Sequence, residues 1–593
     1  MALASEAETP YRVVDDFVDA EAVKEALDEN DECALHWFES ARDDFTVDGI
    51  CWPEVDWASM GYFWRNVRLA TKLADAFKKT GIQEFRFFRH FSPRPQIGPS
   101  KSDVCSVLWE AELPGISRPL ISFEELRLSR FTQSVKRACR RLVYRMGKPA
   151  APASSNTPRV SPGGILVVMA SVEALRFTNL LRLLAKHFPG ETSVAMTAPF
   201  PRVEPETLWG ESVPIVYGPA FPPASWLPRA AWKVMAYGMR DLARRFLNGY
   251  LKTTAASGGR PWKRPLETLR FHFEYYCLHR WPWLHQRNLR FWSDLWAQTQ
   301  PRLVLISSVD DAPFRLPSTT AKLHGIPTLA VPHGGVFGAR TADIPPMADS
   351  SLYGIKLQKR LHELLGLPPS RLFACKDLVA PNEYPIKINA SPYSSHAKLR
   401  LLALTETTDE GTNLVKSVSL SSQYAALKAL SEPPADIESL IELAVKVHPN
   451  YHDIAIIAAV GPTLRSKVMP LDSDLHQIIE EVDLVVAVNY YGSALIHVLR
   501  AGKPVLYFLT ERDPLVNREQ SWWFKLFLDG TTLARTSEEF WNLVRSFLAD
   551  PMLAAAMSRK AEKFARDNLD DSGFPCIGEV IDDLMISRGP GAT

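Results

Sequence analysis

The sequence predicts an α/β protein made of two parallel-sheet units, with a smaller α/β extension in front of them. Three observations carry that expectation. From Gly163 to Gly354, continuous apolar runs alternate with stretches of helical spacing, the pattern of β-α-β units. The alternation restarts at Lys398 and continues through Phe508. A chain of 593 residues is also too long for one hydrophobic core.

Composition narrows the class without naming a function. A hydrophobic content of 46% with 23% charged residues is that of a soluble globular protein. The formal net charge of +1 gives no global field that would gather nucleic acid, so no nucleic-acid partner is expected. The seven cysteines are scattered and odd in number. No pair has metal-ligand spacing and nothing resembles a disulfide framework, which fits a reducing cytoplasm. Met1 to Pro10 lacks the basic start and apolar core of a signal peptide. No apolar run reaches the roughly 18 residues of a spanning helix.

Residues 1–130 read as an accessory α/β region without catalytic residues. Cys33–Phe38, Phe45–Cys51 and Phe85–Phe88 are short apolar stretches, and Met60–Lys79 has helical spacing closed by Gly81. Residues 131–162 connect this region to the next. Their first part, 131–148, interleaves Lys136, Arg137, Arg140, Arg141, Arg145 and Lys148 with apolar residues as an amphipathic cationic helix, either solvated or lying on an anionic membrane. A Pro/Ala/Ser-rich linker follows over 149–158.

The first sheet unit spans 163–385. Gly163–Ala170 reads as a buried strand and Glu173–His187 as a helix broken by Gly190, with strands at Ser193–Thr197 and Pro214–Tyr217. Residues 225–300 interrupt the alternation with a helical stretch dense in aromatic and basic residues. It is either core between helices or, over 226–252, a membrane or acceptor surface. The sheet resumes at Arg302–Ser308, and Asp310 and Asp311 fall just past that strand. Pro317–Leu323 reads as the next helix and Gly325–Val331 as a turn and a strand. His333 stands at that strand's C-terminal end, before two glycines that let a ligand approach the backbone. Ala348–Gly354 is a further strand, Lys356–Leu365 a helix, and Leu372–Ile388 the crossover to the second unit.

The second unit spans 386–593. Its elements are a strand at Lys398–Thr405, a polar loop to Asn413, helices at Gln423–Leu430 and Ile437–Leu440, and a strand at Leu443–Val447. After an apolar run at Ile454–Ala459 come a helix at Leu475–Glu481, a strand at Val482–Val488 and a Gly492-Ser493 turn into a helix that stops at Gly502-Lys503-Pro504. A strand at Val505–Phe508 and helices at Glu538–Leu548 and Met552–Asn568 complete it. The strand at 443–447 bears most on function, because it ends in Lys446-Val447-His448-Pro449. Pro449 has no N–H and helps end the strand, while Lys446 and His448, two residues apart, project to the same side. In open α/β sheets ligands bind at the carboxyl ends of strands.

The order Gly325-Ile-Pro-Thr…His333-Gly334, Ala348-Asp…Tyr353-Gly354, Lys446-x-His448-Pro449 and Asp483-Leu-Val…Gly492-Ser493-Ala…Ala501-Gly-Lys-Pro-Val505 resembles that of the two-Rossmann (GT-B) glycosyltransferases that build bacterial capsules, lipopolysaccharide and teichoic acids. That group includes Kdo transferases, sialyl- and polysialyltransferases and CDP-glycerol glycerophosphotransferases. The resemblance covers roughly residues 163–570. It implies two Rossmann-like domains with a donor cleft between them. The implied substrates are a nucleotide-activated sugar or polyol-phosphate donor and a surface polysaccharide or lipid-linked glycan acceptor, met in the cytoplasm or at the inner face of the plasma membrane. No separate cofactor is implied, and no metal, since no Asp-x-Asp stands at a strand end.

The resemblance also implies roles for residues. His448 and Pro449 would contact the donor's phosphate or base. Gly492 and Ser493 would bind phosphate at a helix N-terminus, whose free N–H groups and positive dipole end suit an anion. Lys446 would add charge against the leaving nucleotide. An acidic pair would activate the acceptor. Asp310-Asp311 lies in the first unit and Asp409-Glu410-Gly411 in the second; placement favours the first, and either pair also fits a solvated turn or cap. His333 would face the reacting centre with it. Two positions depart from the pattern: Pro332 precedes His333 where capsule families often have Gln, and His497 stands where a glutamate often holds the donor ribose. They leave two alternatives, a UDP-sugar 2-epimerase and a catalytically silent glycan-binding or scaffold protein. Arg340 is a further candidate, and Lys503 reads as part of the helix-ending turn.

Overall fold

The computed structural model describes residues 46–56, 79, 162–169, 174–197, 213–217, 281, 284–307, 312–331, 348–364, 367–378, 386, 398–405, 420–447, 457, 460–470, 473–488, 493–509 and 527–587. Strands β1 (Thr46–Val47) and β2 (Ile50–Cys51) form a hairpin. Asp48 and Gly49 join them with φ of 53° and 76°, the left-handed pair that a two-residue Asp-Gly loop demands. A short helix α1 (Trp52–Val55) follows. This piece packs into the first sheet unit. Trp281 Nε1 donates to the buried Asp56 carboxylate at 3.1 Å. The Arg315 guanidinium, 2% exposed, lies 3.8 Å from Glu54.

The first sheet unit begins with β3 (Ile165–Met169), α2 (Ala174–His187), β4 (Thr192–Met196) and β5 (Ile215–Tyr217). A π-helical turn at Leu284–Leu289 leads to α3 (Arg290–Thr299), then β6 (Leu303–Ser307), α4 (Ala312–Leu323), β7 (Thr328–Val331), β8 (Ser350–Tyr353), α5 (Lys356–Leu364) and β9 (Leu372–Ala374). Every pairing is parallel, in the order β5-β4-β3-β6-β7-β8-β9. Helices cover both faces, so a strand such as Ile-Leu-Val-Val-Met is buried at every residue and reads as an unbroken apolar run. In α3, Trp292 and Trp296 stack at 5.3 Å, and Trp296 Nε1 donates to Thr320 Oγ1 of α4 at 2.9 Å.

Two expectations are corrected here. Pro317 does not open its helix: α4 starts five residues earlier, at Ala312, and carries the proline inside. The proline has no N–H to give the helix, and the hydroxyls of Thr319 and Thr320 donate to the Arg315 and Leu316 carbonyls of the preceding turn. Leu372 does not begin the crossover either. Leu372–Ala374 is the seventh strand of the sheet, paired with β8, and the chain leaves only after it.

The second unit consists of β10 (Leu399–Thr405), α6 (Leu420–Ser431), α7 (Ala435–Glu438), β11 (Ile441–Lys446), α8 (Pro462–Arg465), α9 (Leu475–Glu481), β12 (Leu484–Val488), α10 (Ser493–Arg500), β13 (Val505–Phe508), β14 (Thr532–Ala534), α11 (Ser537–Ala549) and α12 (Pro551–Asn568), with a last helix α13 (Ile577–Ser587). Its five strands are all parallel, in the order β11-β10-β12-β13-β14. Alternate residues serve two cores: Val485 and Ala487 of β12 face one, and Leu484, Val486 and Val488 the other. Strand β14 and helix α13 are absent from the sequence reading.

The units interlock. Ile355 and Leu357, where α5 begins, are fully buried in the second unit's core with Leu495, Leu499 and Phe564. In return, α13 leaves the second unit and puts Ile577, Val580, Ile581 and Leu584 into the first sheet's core against α2. A Cβ at Gly578 would lie 2.8 Å from His187 Nδ1, so that close approach needs a glycine. Between α12 and α13 the chain crosses a polar seam. Buried Arg500, at the end of α10, donates to the Leu569 carbonyl at 2.8 Å and to Asp571 at 3.5 Å. Asp571 in turn accepts the Asp377 backbone N–H at 3.0 Å, from the segment just past β9.

Replacing Arg500 with Met leaves the buried Asp571 carboxylate without its cation. We expect the variant to lose about 3–5 kcal/mol of stability, the range for one broken partner of a buried pair, read from its urea unfolding midpoint. A variant within 1 kcal/mol of the parent, in terms of this same range, would remove the seam's structural role.

Candidate functional site

Strand order locates the site. In the first sheet the chain starts at β3, moves outward through β4 and β5 on one side, then returns to β6 and beyond on the other. The second sheet starts at β10, places β11 on one side, and continues through β12, β13 and β14 on the other. Each sheet therefore has a point where neighbouring strands send their following segments to opposite sides, opening a crevice at the carboxyl ends. These points lie between β3 and β6, and between β10 and β12.

Several residues singled out in the sequence fall in the segments that follow these strands. Residues 308–311, with Asp310 and Asp311, fall in sequence between β6 and α4. His333 follows β7, the strand next to β6. In sequence, Asp409 and Glu410 fall between β10 and α6, and Gly492 between β12 and α10. Asp310, Asp311, His333, Arg340, Asp409, Glu410, His448, Pro449 and Gly492 lie outside the described residues, as do segments 131–148 and 226–252. Lys446 and Ser493 are described. Ser493 is the first residue of α10, an eight-residue helix whose N-terminus follows the carboxyl end of β12.

Lys446 ends β11, the outermost strand of its sheet. Residues 467–470 run beside it: the Val445 N–H donates to the Lys467 carbonyl and the Met469 N–H to the Val445 carbonyl. Under this cover Lys446 is 9% exposed, and its Nζ donates to the Pro470 carbonyl at 3.0 Å. One ammonium proton is thus committed to fixing the strand's end. The sequence placed Lys446 at the strand terminus, but nothing local to it announces a carbonyl 24 residues away.

His497 points at another helix. Its ring meets His476 of α9 edge-on, with centroids 4.7 Å apart. His497 Nδ1 is buried with no hydrogen-bond partner among the described residues. Burial, then the neighbouring His476 and Arg500, push His497 down to about 4. Burial likewise lowers His476, against the opposing pull of Asp474 and Glu480. Lys503 behaves as its turn suggests. Its ammonium donates to the carbonyls of Glu480 and Val482 at 3.1 and 2.7 Å, neutralising the negative end of α9.

Among the described residues no group of three or more His, Cys, Asp or Glu is placed to hold a metal, and no helix is long and apolar enough to cross a membrane. No family model and no curated protein matches the chain. Similar solved structures include Acinetobacter baumannii MurG, at 12% identity and a TM-score of 0.38, covering 72% of this chain and 99% of that one. A UDP-GlcNAc 2-epimerase from Neisseria meningitidis bound to UDP-GlcNAc gives 10% identity and 0.37 over 72% and 99%. Phytolacca americana UGT2 complexed with UDP-2fluoro-glucose and pterostilbene gives 9% and 0.39 over 72% and 99%.

The histidine contact has a pH signature. A folded-state pKa below the unfolded value means that the unfolded chain takes up a proton the folded one refuses. Above pH ~6.5 neither state binds it and stability is unaffected; as pH falls from there toward about 4 stability declines. Denaturant unfolding at pH 7 and pH 5 should therefore show a smaller loss in His497→Leu than in the parent, by up to about 2 kcal/mol. Equal losses in both would mean that His497 does not carry this titration.

Proposed function

We propose that the chain is a two-domain GT-B glycosyltransferase that moves a sugar or polyol-phosphate from a nucleotide-activated donor to a surface polysaccharide or lipid-linked glycan. The observation that supports it most is the β11-β10-β12-β13-β14 order, whose crevice is bordered by the loop into α10. Free backbone N–H groups at a helix start, with the positive end of its dipole, suit the phosphates of a nucleotide donor. In this reading Gly492 and Ser493 bind phosphate from that helix end. His448 and Pro449 contact the donor just past β11, and Lys446 adds positive charge from beneath. Asp310 and Asp311, leaving the first sheet's crevice, take the acceptor proton, with His333 beside the reacting centre. A departing nucleotide needs fixed positive charge, and these groups supply it without invoking a metal. In this reading the protein works in the cytoplasm and touches the membrane peripherally through 131–148 and 226–252.

The test is nucleotide release from a panel of CMP-, CDP- and UDP-activated donors, with nucleotide binding measured in parallel by calorimetry. His448→Ala should lower donor affinity or turnover tenfold or more while moving stability by no more than ~0.5 kcal/mol, as a surface change does. Lys446→Met should lower both, because it also releases the Pro470 carbonyl. Unchanged activity in His448→Ala would sink the placement of the donor site. An intact fold that neither binds nucleotide nor turns over any donor would rule out the transferase and leave the glycan-binding reading.

A further inference from the structure

Two cysteines flank a backbone hydrogen bond where the chain passes between the units. Just beyond β9, the Lys376 N–H donates to the Pro575 carbonyl at 3.0 Å, and the Asp377 N–H to the Asp571 carboxylate at 3.0 Å. Cys375 and Cys576 each adjoin the Lys376–Pro575 hydrogen bond, one residue before its donor and one residue after its acceptor. Cys576 lies near enough to Cys375 to help push its thiol upward, and a disulfide asks for Cα atoms about 4.4–6.8 Å apart. The surroundings agree. Cys375 is fully buried in the core that contains Ile577, the residue after Cys576. Cys576 is partly exposed, and its backbone N–H is held by Glu579 at 2.7 Å. Both thiols are free in the structure.

We propose that Cys375 and Cys576 are partners in a reversible disulfide that fastens the returning C-terminal helix to the end of the first sheet. The oxidant is a small-molecule disulfide of the glutathione class. The accessible Cys576 loses its proton to solvent and attacks the reagent's S–S bond, forming a mixed disulfide and releasing one thiolate, which takes up a proton. Cys375 then loses its proton and attacks the Cys576 sulfur, expelling the second thiol. Two protein thiols are oxidised, one disulfide reagent is reduced to two thiols, and two electrons pass between them. The second step is the slow one. Burial, then Asp377 and Cys576, push the Cys375 thiol up to about 12, so little thiolate is present near neutrality and closure quickens as pH rises. The closed ring encloses the whole second sheet, a loop of roughly 200 residues, and long loops are where a cross-link restricts the unfolded chain most. A reducing cytoplasm keeps the pair open, and an oxidised thiol pool closes it.

The test uses the full chain incubated with oxidised glutathione, alkylated under denaturing conditions and mapped by mass spectrometry. The expected result is a cross-linked peptide pair containing Cys375 and Cys576, two hydrogens lighter than the free peptides. It should come with a higher thermal midpoint that dithiothreitol reverses, and it should form faster at pH 8.5 than at pH 7. In Cys576→Ser, which changes only a partly exposed side chain, Cys375 should stay alkylatable and the midpoint should not rise. Cys375→Ala should stop at a glutathione adduct on Cys576. A persistent glutathione adduct on Cys576 in the parent, with Cys375 recovered as a free thiol, would overturn the proposal. So would Cys375 bonded to any other cysteine.

Discussion

Arg500 is buried at the end of a helix, and a guanidinium taken out of water must find acceptors or be expelled. It finds the Leu569 carbonyl and the Asp571 carboxylate, and Asp571 also accepts the N–H of Asp377. These bonds join helix α10, the segment returning from α12, and the segment leaving β9. The apolar exchanges on either side, Ile355 and Leu357 in one direction and α13 in the other, give the seam area. The charged contact supplies direction, since it requires Arg500, Asp571 and Asp377 in one arrangement. A hydrophobic seam alone would tolerate sliding; a buried pair with a bonded backbone tolerates much less.

That constraint matters for the site because α10 has two ends. Its N-terminus borders the second crevice, and its C-terminus carries Arg500. Between them His497 packs on His476, and the rest of the helix is buried in the core that Ile355 and Leu357 share. A shift of α10 along its axis would disturb the seam, the histidine contact and the core together. A helix held at so many points presents its N-terminal N–H groups in a fixed place, which is what anion binding by backbone dipoles requires.

Much of the framework was legible because burial on both faces leaves an unbroken apolar run. Ile-Leu-Val-Val-Met at β3 and Leu-Val-Val-Ala-Val at β12 could be placed to within a residue or two. The elements that escaped are those where the signal is weak. β9 and β14 are three-residue edge strands, Leu-Phe-Ala and Thr-Leu-Ala, too short for a period to develop. Helix α13 follows a turn-rich stretch and carries acidic residues among its apolar ones, so it reads like a tail; its partner, the first sheet's core, lies some 400 residues earlier in the chain. Pro317 misled because a proline most often opens a helix, and only tertiary packing lets this one sit inside. Strand order was not legible at all, since it is set by pairings between distant segments.

The candidate site divides along the same line. Local sequence identified which residues end strands and start helices, and so drew attention to Lys446 and Ser493. It could not say what those residues would already be doing. An ammonium has three protons, and Lys446 gives one to Pro470. That bond fixes the charge within the sheet edge and lowers the reorganisation needed when an anion arrives, at the cost of the reach a free lysine has. His497 shows the converse. A carboxylate there would accept hydrogen bonds from a ribose and carry charge, whereas an imidazole pressed on His476 and held down to about 4 is neutral at physiological pH. In the proposed function, anion binding at the second crevice would draw its positive potential from the α10 terminus, Lys446 and the segment just past it, with no help from position 497.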